Sequence, residues 1–192
     1  VQNNVAIGSD AGRKAAGNCV YIGATTGQSV TGVNNTFVGY AAGDVVTTIN
    51  NSVAIGNNAI GGVPAAQALE HVVAIGVDAF LGETSTTTGP NGLVAIGTSA
   101  GRSLTTGANN TFVGYSSGRT MTYGSENTFF GRHTGYYNIS GSNNAFLGYT
   151  AGQYATGSYN TFIGSAAGKG GTTSAPYSSG QYNTAMGYQA LT

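Results

Sequence analysis

A glycine that directly follows an aliphatic, aromatic or methionine residue recurs eleven times, at Gly8, Gly23, Gly39, Gly56, Gly76, Gly97, Gly114, Gly131, Gly148, Gly164 and Gly187. The intervals are 15, 16, 17, 20, 21, 17, 17, 17, 16 and 23 residues. A period of this length is the mark of a solenoid, in which each unit buries its apolar side only against the next.

Alignment on these anchor glycines exposes further columns. The preceding residue is always large and apolar, from Ile7 and Ile22 to Ile163 and Met186. Three before the anchor stands Val, Thr or Ala, and four before it stands Asn in seven repeats: Asn4, Asn35, Asn110, Asn127, Asn144, Asn160 and Asn183. A second glycine follows four after the anchor in eight repeats, and a third lies seven before it in six. The consensus Gly-x-x-Asn-Thr-Phe-Val-Gly-Tyr-x-Ala-Gly reads as one short strand between turns. Thr, Val, Ile and Phe favour strands, and Asn and Gly tolerate left-handed corners. Within the insertion, residues 64–72 have the composition for one or two helical turns.

One unit of this length cannot fold alone. Ordering it costs roughly 1–2 kcal/mol per residue, while its few core side chains return about 1.5–3 kcal/mol each. Parallel stacking at about 4.8 Å per step supplies the remainder, so about eleven coils predict an all-β parallel β-roll roughly 50 Å long. Composition agrees: hydrophobic residues make up 40% and charged residues 6%, too apolar for a disordered chain. Three prolines are far too few for collagen. The whole of 1–192 reads as a single repeat domain that begins and stops inside a repeat, a fragment of something longer.

Side chains along a strand alternate, so the columns one and three before the anchor share a face and the column between them faces the other way. Both faces are apolar. The middle column holds Tyr21, Phe37, Phe112, Phe129, Phe146 and Phe162, with Ala elsewhere. One face therefore lies inside the coil and the other against a neighbouring chain, with these phenylalanines at the core or at the subunit interface.

Asn51-Ser52-Val53-Ala54-Ile55-Gly56 and Asn4-Val5-Ala6-Ile7-Gly8 resemble the head repeat of trimeric autotransporter adhesins, a left-handed parallel β-roll. Asn35-Thr36-Phe37-Val38-Gly39-Tyr40, Asn110-Thr111-Phe112-Val113-Gly114-Tyr115 and Asn183-Thr184-Ala185-Met186-Gly187-Tyr188 look more like repeats of phage tail fibres. The resemblance implies a homotrimer, an extracellular or virion location, and attachment to a host cell surface through a glycan or protein receptor. The longer intervals and the aromatic column favour the tail-fibre type over the adhesin. A third reading is a monomeric solenoid that binds ice or matrix through a Thr column (Thr36, Thr111, Thr128, Thr161, Thr184).

Little points to catalysis. The six acids (Asp10, Asp44, Glu70, Asp78, Glu83, Glu126) are scattered, whereas glycoside cleavage needs a carboxylate pair at a set separation. His71 and His133 stand in distant repeats without metal-ligand spacing. The repeated aspartates of a calcium-binding roll are absent, so no enzyme activity, metal or cofactor is expected. Cys19 has no partner for a disulfide and reads as a small buried residue. Zero net charge gives no reason to expect nucleic acid, and no apolar run is long enough for insertion in a membrane.

Candidate receptor contacts are of two kinds. Tyr40, Tyr115, Tyr149 and Tyr188 directly follow anchor glycines, where stacked rings would grip a sugar or pack between subunits. Thr86, Thr87, Asn91 and Tyr177 fall in over-long repeats, whose inserted loops span 61–70, 81–92 and 169–179. Arg13, Arg102 and Arg119 share one column, for inter-chain pairs or solvation. Asn34, Asn109 and Asn138 begin glycosylation sequons.

Overall fold

The computed structural model describes residues 3–63, 68–82, 90–171 and 179–192. Among these residues the chain is all-β, without a helix, and forms a parallel β-solenoid. Its strands are β1 (Val5–Ile7), β2 (Val20–Ile22), β3 (Thr36–Val38), β4 (Thr48–Asn50), β5 (Val53–Ile55), β6 (Ala68–Glu70), β7 (Val73–Ile75), β8 (Val94–Ile96), β9 (Thr111–Val113), β10 (Thr128–Phe130), β11 (Ala145–Leu147), β12 (Thr161–Ile163) and β13 (Thr184–Met186). Eleven of them stack into one sheet in the order β1-β2-β3-β5-β7-β8-β9-β10-β11-β12-β13, each ending just before an anchor glycine. Register is strict: Val5 lies on Val20, Phe129 on Phe146 and Ile163 on Met186.

Each anchor glycine from Gly8 to Gly164 has two independent reasons to be glycine. Its φ is 133° at Gly56 and 131° at Gly114, a region that other residues rarely enter. A Cβ at Gly56 would also lie 2.5 Å from the carbonyl oxygen of Gly76, the next anchor in the stack. Three further left-handed residues bend each regular coil. In the coil of β9 they are Asn109 (φ 56°), Ser116 (φ 55°) and Gly118 (φ 57°).

The asparagines expected at these corners do a different job. The left-handed residue lies five before the anchor, as at Asn34, Asn51, Asn109, Glu126 and Asn143. The asparagine column, one residue later, points inward as a ladder of amides. Asn127 N donates to Asn110 Oδ1 (3.0 Å), Asn144 N to Asn127 Oδ1 (3.0 Å), and Asn160 N to Asn144 Oδ1 (2.9 Å). Each Nδ2 reaches a glycine carbonyl one coil on: Gly124 from Asn110 (2.7 Å), Gly141 from Asn127 (2.9 Å) and Gly157 from Asn144 (3.0 Å). The ladder satisfies backbone groups that would otherwise be buried without partners.

The phenylalanine column fills the inside of the coil. Tyr21, Phe37, Phe112, Phe129, Phe146 and Phe162 are all buried. Successive rings stack, with centroids 5.3 Å apart for Phe112 and Phe129, 4.8 Å for Phe129 and Phe146, and 4.9 Å for Phe146 and Phe162. The glycine four after the anchor, present in eight coils, makes room for them: a Cβ at Gly118 would meet the Phe112 ring at 2.9 Å, and one at Gly101 would meet it at 2.8 Å.

Two expectations about the insertions change. Residues 68–70 form β6, which pairs with β4 in a second parallel sheet and sets Leu69 on Ile49, both fully buried. This part of 61–70 extends the core rather than looping out, and the helical turn expected over 64–72 is replaced at 68–70 by strand. Leu69 stands seven before its anchor, as Ile49 does, so stacking register overrides local helix propensity. Residues 64–67, 83–89 and 172–178 of the insertions lie outside the described residues.

Candidate binding surface

The face opposite the phenylalanines is turned outward, and it is as apolar as the sequence implied. Ile7, Ile22, Ile55, Phe130, Leu147 and Met186 are exposed, and Met186 reaches 71%. The same column continues through Val38, Ile75, Ile96, Val113 and Ile163, each partly exposed. Beside it runs the column three before the anchor, Val in the earlier repeats and mainly Thr in the later ones. Ten stacking steps make this strip roughly 50 Å long. At Ala145 the small side chain leaves a shallow apolar depression bordered by Thr128, Phe130, Leu147 and Ile163, with Phe146 at its base.

The residue after the anchor leaves the strand at the glycine bend and projects into solvent. Tyr40, Tyr115, Tyr149 and Tyr188 are 59%, 52%, 53% and 75% exposed. Tyr115 and Tyr149 are brought together by a residue that the sequence reading passed over, Arg132, which occupies the same column in the coil between them. Its guanidinium lies over both rings, 5.7 Å from each centroid. His133 stacks on Tyr115 at 5.4 Å and packs against Tyr136 at 5.3 Å. Arg119 lies over the Tyr136 ring and donates from Nη1 to its hydroxyl at 2.6 Å. The ring faces of Tyr115 and Tyr149 that look along the stack towards each other thus meet a guanidinium. The signal in the sequence was there: an arginine in a tyrosine column, one coil from a tyrosine on either side.

His133 is held neutral. Burial comes first in lowering its pKa, followed by the charges of Arg132 and Arg119. Its Nε2 is buried and has no hydrogen-bond partner among the described residues.

Other expected contacts fall elsewhere. Asn91 is exposed, but its Oδ1 accepts from Glu70 N at 2.9 Å, the same service that Asn50 Oδ1 gives Val33 N. Thr86, Thr87 and Tyr177 lie outside the described residues. Arg13 sits 4.0 Å from Asp10 within its own coil. Asn138 is fully buried and its Oδ1 accepts from Gly141 N, so the folded chain hides that sequon. Cys19 occupies the asparagine column, buried, and its thiol donates to Gly17 O at 3.2 Å.

No family model, curated protein or solved structure matches this chain.

Proposed function

We propose that this chain is a structural and receptor-binding segment of a homotrimeric extracellular fibre, of the phage tail-fibre kind, that mediates attachment to a host cell surface. The observation that carries the reading is the outward apolar strip. Val, Ile, Phe, Leu and Met on every strand of the main sheet make a patch that a solitary soluble chain rarely presents. A cyclic trimer would cover three such strips at once, and the depression at Ala145 would receive a side chain from the neighbour. Its receptor would be a cell-surface glycan or protein, and its role mechanical and adhesive rather than enzymatic. Nothing in the reading calls for a cofactor or for insertion in a membrane.

One feature favours the second reading, a bacterial surface adhesin of the trimeric autotransporter kind. The coils of β5, β7 and β8 carry Val-Ala-Ile before the anchor, the adhesin-like form, rather than Thr-Phe-Val.

The native mass in solution, before and after mild heating in detergent, tests the assembly. A trimer of three 19.1 kDa chains that resists dissociation is expected, and Leu147→Lys, at the edge of the depression at Ala145, should release monomers. A clean monomer from the unaltered chain would remove the case for a fibre and return attention to the single-chain binding solenoid.

A further inference from the structure

The zero net charge of the chain conceals an asymmetry. Residues 1–97 hold Arg13 and Lys14 against Asp10, Asp44, Glu70, Asp78 and Glu83, a net −3; residues 98–192 hold Arg102, Arg119, Arg132 and Lys169 against Glu126 alone, a net +3. Within the basic half, Tyr149, Arg132, Tyr115, His133, Tyr136 and Arg119 form one unbroken chain of stacked rings and guanidinium groups. Among the described residues no carboxylate pairs with Arg119 or Arg132. The one acid of this half, Glu126, stands before strand β10, whereas Arg132 follows it, so the strand keeps them apart.

A guanidinium lying over two tyrosine rings is held in place before any ligand arrives. Its N–H groups remain able to meet an oxyanion, carboxylate or sulfate, with two parallel hydrogen bonds. Each cation–π contact contributes about 0.5–1 kcal/mol at an exposed site, and restricting the side chain in advance lowers the entropy lost on binding. The flanking tyrosines, more than half exposed, offer hydroxyls able both to donate and to accept. Charge for an anion and hydroxyl groups for polyols therefore stand on one ridge.

We propose that this ridge, centred on Arg132 with Arg119 beside it, binds the carboxylate or sulfate groups of an acidic polysaccharide. The inference rests on the attachment reading above and deepens it by naming the class of receptor. Nucleic acid is the weaker fit: duplex binding commonly neutralises 6–10 phosphates, and the ridge offers two guanidinium groups and a neutral histidine. An anionic membrane is weaker still, at about 1 kcal/mol for each cation near the surface.

The test is titration calorimetry of the 192-residue chain with four probes at low and moderate salt: polygalacturonate, dextran sulfate, neutral dextran and duplex DNA. Binding to one or both acidic polysaccharides and not to neutral dextran is expected, and comparison of the two identifies carboxylate or sulfate as the group preferred. Arg132→Gln should weaken binding at least tenfold. Arg132→Lys should lose most of that as well, because an ammonium keeps the charge and lacks the fork. Arg13→Gln, at the other end of the rod, should bind as the parent does. Circular dichroism and native mass, unchanged in each variant, show that the fold and assembly survive. Equal weakening by Arg132→Gln and Arg13→Gln, equal binding of DNA, or no preference over neutral dextran would each overturn the proposal. None of these results touches the trimer, whose mass is measured separately; conversely, a monomer that still bound through Arg132 would sink the fibre reading alone.

Discussion

In the coils of β9 to β12 the residue two before the anchor is phenylalanine and the residue four after it is glycine, as in Phe112 with Gly118 and Phe129 with Gly135. In the coils of β5 and β7 the sizes are exchanged: Ala54 stands with Ile60, and Ala74 with Phe80, all four fully buried. In these coils either position can supply the large interior side chain, whereas the coil of β8, with Ala95 and Gly101, uses neither. The costs differ. Phenylalanine on a strand sits in relaxed backbone, whereas Ile60 (φ 58°) and Phe80 (φ 44°) hold the left-handed conformation, which costs an L-residue roughly 1–2 kcal/mol. The corner changes in step. The amide ladder of the later coils gives way to Ser52, Val72 and Leu93, and the glycine seven before the anchor gives way to Ile49 and Leu69. The middle coils thus replace a polar corner by an apolar one and gain the β4–β6 sheet.

The largest test of this comparison transplants one solution into the other region. Phe129→Ala should lose about 3–5 kcal/mol in urea denaturation, because the neighbouring rings cannot close the space. Adding Gly135→Ile should recover a good part of the loss, less the left-handed strain. A double variant no more stable than the single one would mean that the two coil types are not interchangeable.

Exchange of the corners comes next. Asn127→Ala removes the acceptor of Asn144 N and the donor to Gly141 O and should cost about 2–4 kcal/mol. The converse, Val72→Asn, buries an amide beside Ser52, whose Oγ already accepts from Val72 N, and should cost about 1–3 kcal/mol. A neutral Val72→Asn would show that the apolar corner has no preference of its own.

Tyr21 sharpens the same comparison within the aromatic column. Among the described residues its buried hydroxyl has no partner in hydrogen-bonding geometry, with Cys19 and Asn35 beside it, and burial drives its pKa far upward. Tyr21→Phe restores the residue used by the later coils and should stabilise the chain by about 1 kcal/mol, read as a higher melting temperature. A loss of stability would mean that the hydroxyl is better satisfied than its geometry indicates.

The smallest effect separates the two regions by pH. His133, with its pKa lowered, stays neutral in the fold while the unfolded chain takes up a proton. Stability should therefore fall as pH drops through about 6.5, the ordinary histidine value. The groups facing it are Tyr115, Tyr136, Arg119 and Arg132. Asp44, its pKa raised by burial, acts in the opposite sense and only nearer the carboxylate range. Denaturation midpoints between pH 7.5 and 5.5 should slope downward for the parent and less so for His133→Asn. An unchanged slope would assign the acid sensitivity to another group.

Much of this was legible in the columns. The anchor glycines located all eleven strands of the main sheet and their register, because a stack with a constant step turns sequence period directly into neighbour relations. The insertion at 61–70 was misread because its composition suits a helix, although Leu69 keeps Ile49's distance from the anchor. Asparagine does hold left-handed corners, at Asn18, Asn34, Asn51, Asn109 and Asn143, but the asparagine column that the period makes most visible stands one position later and points inward. Of the candidate tyrosines, the sequence placed each beside an anchor, but the ridge needed Arg132 to be recognised as a member of their column.

The sequence by itself determined the repeat, the strands and the lists of residues that must lie above one another. Alternation divided each strand into two faces and could not say which closes inward, since both are apolar. Only the tertiary structure decided that. Four left-handed bends in each regular coil turn the chain so that the phenylalanines meet the glycines beyond the anchor, and the same turn leaves Val, Ile and Thr outside. The ladder of amides and the ridge of rings and guanidinium groups have the same origin: period brings columns into line, but the path of the backbone between them chooses which columns face each other and which face water.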